Sequence, residues 1–147
     1  MPAIGNVVIN DGAATPVAHT FNPSNRNADG QQKWQDKVTG VAIGFSELGQ
    51  QLQVPGNPVA GTESKASRIY RAKISLKLPT LEVTSPSTGT GIQPAPTLGY
   101  TCTANVEFLL PERSTSQNRK DLRVMLVNYL QHANAVAVVD NLEPIWG

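Results

Sequence analysis

The stretch Tyr70-Arg-Ala-Lys-Ile-Ser-Leu-Lys-Leu-Pro79 decides the fold class. Apolar side chains alternate with polar ones along it, which is the period of a β-strand with one buried and one exposed face. The apolar side carries Tyr70, Ala72, Ile74, Leu76 and Leu78, and the other side carries Arg71, Lys73, Ser75 and Lys77. The stretch therefore predicts a strand between a core and a basic strip, and Pro79 is expected to end it.

A second stretch with the same alternation runs from Tyr100 to Phe108. Its outward side chains offer hydroxyl, amide and carboxylate groups; they are Thr101, Thr103, Asn105 and Glu107. Cys102 falls on the apolar side, where a thiol behaves as a small hydrophobic group. Because it is the only cysteine, an internal disulfide and a thiolate zinc site are both excluded.

The residues before Tyr70 predict further strands and turns. Two strand-like runs flank Asp11-Gly12, which predicts an N-terminal hairpin over 1–21. The remaining expectations are a loop at 22–30, a brief strand at 31–36, a half-buried strand at 41–46, and a flexible connection at 48–66 with a weak strand at 51–54. The sheet as a whole is predicted over 31–110, with loops at 48–66 and 80–97, the second being rich in Ser, Thr, Gly and Pro.

After Pro111 the hydrophobic period changes from that of a strand to that of a helix. The apolar stripe consists of Leu122, Met125, Leu126, Tyr129 and Leu130. Ser114 and Gln117 have the spacing of a capping box, so a helix of about five turns is expected to begin there. A second short helix is expected over 135–142, although its β-branched residues leave a strand open, and the helices together span 114–143.

Strands first and helices last predict one α+β domain over 1–147, with an N-terminal hairpin, an antiparallel sheet of about five strands and two C-terminal helices. One substantial helix covers only a strip of a broad sheet. The remaining apolar face therefore predicts a second subunit.

Composition narrows the class of protein further. Charged residues make up 16% of the chain, against about 25% in an average soluble domain. No apolar run approaches the roughly 18 residues of a membrane span, and the start has no signal-peptide features, so neither membrane insertion nor secretion by that route is expected. Net charge is only +1, but five of the 12 basic residues lie between positions 65 and 77; they are Lys65, Arg68, Arg71, Lys73 and Lys77.

Catalytic groups do not converge in this sequence. His19 and His132 have no Ser, Cys or carboxylate motif beside them, and Gly89-Thr90-Gly91 lacks the later glycine of a phosphate-binding loop. We therefore predict no enzymatic activity, no cofactor and no metal site. The basic strip is consistent with RNA binding, and equally with an ordinary solvated strand face.

The stretches Tyr70–Pro79, Tyr100–Phe108 and Ser114–Leu130, followed by Leu142-Glu-Pro-Ile-Trp146, resemble the coat proteins of single-stranded RNA bacteriophages, the leviviruses and alloleviviruses. The resemblance implies an interlocked homodimer, an icosahedral T=3 shell in the virion, and assembly in the cytoplasm of the bacterial host. It also implies that genomic RNA, or an RNA hairpin, binds the inner sheet face and represses replicase translation. A free-standing dimeric RNA-binding regulator without a shell is the alternative.

The resemblance also assigns residues. The RNA-binding positions are Arg71, Lys73, Ser75, Lys77, Thr101, Thr103 and Asn105, and the dimer-packing positions are Leu122, Met125, Leu126, Tyr129 and Leu130. The family often has a stacking tyrosine where Thr103 stands and a lysine where Ser75 stands, and hydroxyl residues where this chain has Ala42 and Gly44. These departures favour packaging through the RNA backbone over recognition of one hairpin. Intersubunit disulfides are not expected.

Overall fold

The computed structural model describes residues 4–57, 68–82, 94–144 and 146. Six strands form one sheet in the order β1 to β6, followed by two helices. The elements are β1 (Val7–Asn10), β2 (Ala18–Arg26), β3 (Gln32–Asp36), a 3-10 helix (Ala42–Gly44), β4 (Ser46–Gln53), β5 (Ile69–Glu82), β6 (Thr97–Pro111), α1 (Ser116–Leu130) and α2 (Ala133–Asp140). The α+β class, the N-terminal hairpin and the C-terminal helices are confirmed, and the antiparallel sheet has six strands rather than about five.

Two compact units make up the chain. The first, which we call the sheet unit, comprises Met1–Gly56 and Tyr70–Leu109. The second, the helical unit, comprises Asn57–Ile69 and Leu110–Gly147. The expectation of a single domain over 1–147 stays a prediction.

Asp11 closes the N-terminal hairpin with its side chain. All four residues of β1 pair with β2 in antiparallel register. In the turn between them, the Oδ1 atom of Asp11 accepts hydrogen bonds from the backbone N–H groups of Ala13 (3.2 Å) and Val17 (2.9 Å). A short carboxylate that bonds its own turn is the reason that Asp favours such positions.

The loop predicted over 22–30 was wrong in its first half, because β2 continues to Arg26. Pro23 has no backbone N–H to offer the ladder, and the register between β2 and β3 shifts between Pro23 and Arg26. The turn itself is confined to 27–30. There the N–H group of Gly30 donates to the carbonyl oxygen of Asn27, and Gly30 adopts a φ of +80°, which favours glycine.

His19 on β2 connects two carboxylates. Its Nδ1 atom lies 2.9 Å from Oδ2 of Asp36 on β3, and its Nε2 atom lies 3.5 Å from Oδ2 of Asp11. The hydrogen bond with Asp36 is the main cause that raises the pKa of His19, while backbone hydrogen bonds from Val17 and then Ala13 lower the pKa of Asp11. The bridge is therefore strongest when the ring is protonated.

The segment between β3 and β5 differs most from the sequence prediction. Residues 41–46 alternate as a strand would, but Ala42–Gly44 form a 3-10 helix. The strand β4 runs from Ser46 to Gln53, so most of it lies in the flexible connection predicted over 48–66, where only a weak strand at 51–54 was expected. Its glutamine-rich sequence does not predict a strand, but β4 pairs with β3 on one side and with β5 on the other, and these two ladders hold it extended. Residues 58–66 of the predicted connection lie outside the described part of the chain.

The two strands that the alternation predicts are both confirmed, and both are longer than expected. β5 continues through Pro79, which was expected to end it. Its pairing with β4 stops at Lys77, so the missing N–H of Pro79 leaves no ladder bond to β4 unmade. The predicted loop over 80–97 is shortened at both ends, and its residues 83–93 are not among those described.

The first turn of α1 is capped by Thr115. Its Oγ1 atom accepts a hydrogen bond from the N–H group of Asn118 at 3.1 Å. Ser114 instead donates from its hydroxyl to the carbonyl oxygen of Pro111 at 2.7 Å. The capping box predicted at Ser114 and Gln117 was therefore wrong: the cap is the hydroxyl of Thr115 alone, and the side chain of Gln117 donates to Asp121 instead of returning to the cap.

The helices are shorter than the sequence suggested. α1 has 15 residues, or about four turns rather than five. α2 confirms the second helix and removes the strand alternative, and the Nδ1 atom of His132 caps it by accepting a hydrogen bond from the N–H group of Asn134. In the described part of the chain, no helix is long and apolar enough to span a membrane.

The chain buries few large side chains. Phe21 (3% exposed) and Trp34 (8%) are the buried aromatic residues of the described sheet unit. Many large apolar side chains of the described residues are exposed instead, among them Leu52 (60%), Tyr100 (63%) and Met125 (70%). Much apolar surface therefore stays open to solvent in one isolated copy.

Candidate nucleic-acid interface

One face of the sheet unit collects polar and charged side chains from four strands. Residues directly opposite each other in an antiparallel ladder point to the same side. Lys33 therefore shares a row with Gly49 and Ser75. Glu47 shares the next row with Lys77. We call this surface the polar face; its members include Gln31, Lys33, Gln35, Glu47, Gly49, Arg71, Lys73, Ser75, Lys77, Asn105 and Glu107.

A cavity of about 570 Å³ opens on the polar face, and side chains of β3, β4, β5 and β6 line it. Gly49 is essential to its shape. A Cβ atom at this position would lie 2.6 Å from both the Ser75 hydroxyl oxygen and the Gln31 side-chain nitrogen. The absence of a side chain at Gly49 therefore keeps the cavity open where these two polar groups line it.

Two carboxylates lie among the cations of the polar face. Glu47 on β4 pairs with Lys33 on β3 at 3.7 Å. On β6, the Oε1 atom of Glu107 lies 3.6 Å from the guanidinium group of Arg71 and 3.8 Å from the amine of Lys73. The surface is therefore a mixed arrangement of charges with a cationic excess, not a uniformly basic strip.

Comparison with known proteins identifies the family. The model of the levivirus coat protein family matches residues 2–146. The chain belongs to the levivirus coat protein family. Among solved structures, the virus-like particle of bacteriophage ESE058 is 36% identical, with a TM-score of 0.90, and the match covers 99% of this chain and 100% of that chain. The virus-like particle of Beihai levi-like virus 21 is 27% identical, with a TM-score of 0.76 and the same coverage.

The fold of this coat protein extends to more distant relatives. The capsid protein of bacteriophage GA is 14% identical, with a TM-score of 0.67 over 98% of both chains, a likeness that concerns the fold alone. Comparison with curated proteins found no match. Family membership confirms the resemblance drawn from the sequence and makes the chain a structural protein of the virion capsid, not an enzyme.

Most of the predicted RNA-binding residues of the coat protein converge on one site. The cavity is lined by Lys73, Ser75, Lys77 and Asn105. Arg71 does not line it, but pairs with Glu107, which does. Thr101 and Thr103 are exposed on the same strand as Asn105, but neither lines the cavity. Their role in binding stays a prediction.

Arg68 separates from the rest of the basic cluster. Its side chain is only 14% exposed and pairs with Glu112 at 3.3 Å within the helical unit. The backbone N–H of Glu112 also donates to the carbonyl oxygen of Arg68. Arg68 is therefore engaged within the helical unit and is not part of the polar face, and Lys65 of the same cluster lies outside the described residues.

Sequence reasoning missed the contributions of β3 and β4. Glu47 and Gly49 fall in the segment that was expected to be a strand end and a flexible connection, so no outward face was assigned there. Ala42 and Gly44, which stand where the resemblance places hydroxyl residues, lie in the 3-10 helix and not on the polar face. Glu107 was recognised as outward-facing, but its pairing with Arg71 and Lys73 depends on the register of neighbouring strands.

The apolar stripe predicted on α1 is present and open in the single coat protein chain. Within it, Met125 is 70% exposed and Tyr129 54% exposed. Leu122 and Leu130 are about half exposed, and Leu126 is intermediate. This stripe is available for contacts beyond one chain, and its role in dimer packing stays a prediction.

Proposed function

We propose that this coat protein forms dimers, that the dimers assemble into an icosahedral T=3 shell in the host cytoplasm, and that the polar face holds single-stranded genomic RNA. The observation that carries the RNA assignment is the cavity between β3 and β6, which is lined by Lys33, Lys73 and Lys77 together with Asn105. Cations hold phosphates, and amide groups can meet base edges.

Assembly is supported by two independent observations. One copy leaves large apolar side chains exposed in both units, among them Leu78 on the sheet and Met125 on α1. The relatives named above are known as virus-like particles. A second copy would cover apolar surface on the sheet and the stripe on α1, since symmetric self-association is the commonest way to close such surfaces.

Reversing the charge of Lys73 and Lys77 tests the RNA assignment. In Lys73→Glu with Lys77→Glu, we expect particles to form with much less nucleic acid, because two cations of the polar face become anions. The measurement is size-exclusion chromatography with the ratio of absorbance at nucleic-acid and protein wavelengths. The matched control carries Arg113→Glu and Lys120→Glu, the same charge change in the helical unit.

Normal packaging by the double variant would show that the polar face does not hold RNA. Elution of the unchanged protein as a small species without nucleic acid would overturn both assembly and packaging. Translational repression through one RNA hairpin would appear as tight binding of that hairpin by the unchanged dimer, with little binding of a scrambled hairpin.

A further inference from the structure

The carboxylates of the polar face have no role in the proposed function, although they lie among the groups that would hold RNA. We infer that Glu47 and Glu107 are specificity-determining residues that hold these cations in ion pairs against the RNA backbone. A polyanion that offers only phosphates must displace them, whereas a base that donates a hydrogen bond can be accepted by them. This inference rests on the proposed function of the polar face.

Glu47 is held by two residues of β3. Its Oε1 atom accepts a hydrogen bond from the side-chain amide of Gln35 at 3.1 Å, and its Oε2 atom lies 3.7 Å from the amine of Lys33. The carboxylate is also opposite Lys77 in the ladder and lines the cavity. It is therefore a fixed anion at the β4 side of the site.

Glu107 occupies the other side of the basic strip. Its Oε1 atom lies within 4 Å of both Arg71 and Lys73, so one oxygen atom serves two cations of β5. A phosphate oxygen makes the same charge-assisted contacts with these groups that the carboxylate oxygen makes. RNA phosphate and Glu107 therefore compete for the same two side chains.

The charge of the polar face follows from this arrangement. Its cations are Lys33, Arg71, Lys73 and Lys77, and its anions are Glu47 and Glu107, so four positive and two negative charges leave a net charge of +2. Affinity for a bare polyanion grows with the number of phosphates neutralised. The two carboxylates therefore reduce binding that depends on phosphate alone.

Bases change this balance because they donate hydrogen bonds. An ionised carboxylate only accepts them, and the exocyclic amino group of cytosine is a donor that Glu side chains accept. A displaced carboxylate can thus find a new partner on RNA, but not on a chain of phosphates. The result is selection for single-stranded RNA with unpaired amino-bearing bases over other polyanions.

The test compares two probes on the recombinant coat protein after acid disassembly has removed its nucleic acid. A labelled short oligocytidylate supplies phosphates and bases, and inorganic polyphosphate supplies only the charges. Fluorescence anisotropy gives the affinity of the first, and competition gives that of the second, each over a series of salt concentrations. The variants are Glu47→Gln, Glu107→Gln and the control Glu143→Gln, which makes the same charge change in the helical unit.

We expect each polar-face variant to bind polyphosphate about two- to five-fold more tightly, the range that corresponds to losing an exposed ion pair. The slope of log affinity against log salt concentration should steepen by roughly 0.7 for each side-chain cation freed from its carboxylate. Glu107→Gln frees Arg71 and Lys73, whereas Glu47→Gln frees Lys33, so Glu107→Gln should have the larger effect. Oligocytidylate should gain less, because its amino groups lose the charged acceptor that the carboxylate supplied. The amide oxygen of glutamine replaces it only with a neutral acceptor. Circular dichroism confirms the fold of each variant.

Two outcomes separate this inference from the proposed function. If the unchanged protein binds oligocytidylate and the Lys73→Glu, Lys77→Glu variant does not, the RNA face stands. Polyphosphate affinities of Glu47→Gln and Glu107→Gln equal to that of the control would then overturn the role of the carboxylates alone. If the unchanged protein binds neither probe, the proposed RNA face itself is wrong.

Discussion

The two faces of the sheet differ in how far one chain satisfies them. On the polar face, cations meet carboxylates and amides of neighbouring strands, so much of its hydrogen bonding is completed within the chain. On the opposite, apolar face, Ile74 remains 40% exposed and Leu78 45% exposed. The polar face is therefore largely satisfied within one chain, whereas the apolar face exposes side chains whose burial against another surface would be favourable.

A carboxylate on the apolar face should have the largest effect. In Leu78→Asp, an unpaired charge in a closed apolar interface would cost about 3 to 5 kcal/mol, and we expect particles to be lost. Chromatography and electron microscopy of the expressed protein measure this. Ser75→Asp, which places the same group on the polar face of the same strand, is the control and should still assemble.

Because Leu78→Asp could also fail to fold, Leu78→Ala serves as a milder probe. It should leave the dimer folded by circular dichroism and lower the temperature at which particles dissociate. Particles of unchanged heat stability in this variant would show that the apolar face at Leu78 is not covered in the assembly.

The bridge of His19 on the apolar side makes stability depend on pH. The folded state raises the pKa of His19, so its stabilisation is fully present below about pH 6.5 and is lost as pH rises through the higher folded-state pKa. Asp11 acts in the opposite range: its lowered pKa gives stabilisation that is lost in acid, as pH falls through the folded-state value.

Thermal unfolding at a series of pH values, with and without His19→Asn, measures the contribution of this bridge. We expect the unchanged protein to lose stability relative to the variant as the pH rises from about 6 to about 8. A difference between the two proteins that does not change with pH would show that the ring is not protonated between the two carboxylates.

The smallest expected effect concerns the cavity of the polar face. In Gly49→Ala, the new methyl group would displace the side chains of Gln31 and Ser75, which can move, so stability should change by less than about 1 kcal/mol. Affinity for oligocytidylate should fall several-fold more than affinity for polyphosphate. Equal losses for both probes would mean that the cavity does not receive a base.

Sequence reasoning succeeded where the two sides of a strand meet different surroundings. Around Ile74 and Val106, apolar side chains on one side of the strand alternate with polar ones on the other, so β5 and β6 could be predicted from residue type alone. β4 has polar or small residues on much of both sides, and its strand depends on pairing with β3 and β5. Pro79 misled the prediction for a similar reason, because whether its missing N–H matters depends on where the neighbouring strand ends.

The same limit applies to the candidate site. The cations of β5 are readable from one strand, but Glu47 becomes part of the site only through the register that sets it opposite Lys77. Gly49 likewise matters through what a side chain there would strike, which no local pattern encodes. Contacts between distant positions in the sequence therefore account for what the sequence left unpredicted.

The position of β6 at the end of the sheet order has a consequence for how such a gene can vary. A terminal strand of 15 residues has a ladder on one side only, and its other edge can join a copy of itself about a two-fold axis. If two copies meet along that edge, a residue of β6 near the axis contacts the equivalent residue of the other copy. One mutation then changes both sides of the same contact. A substitution there must be compatible with itself, so the centre of β6 should evolve more slowly than its ends.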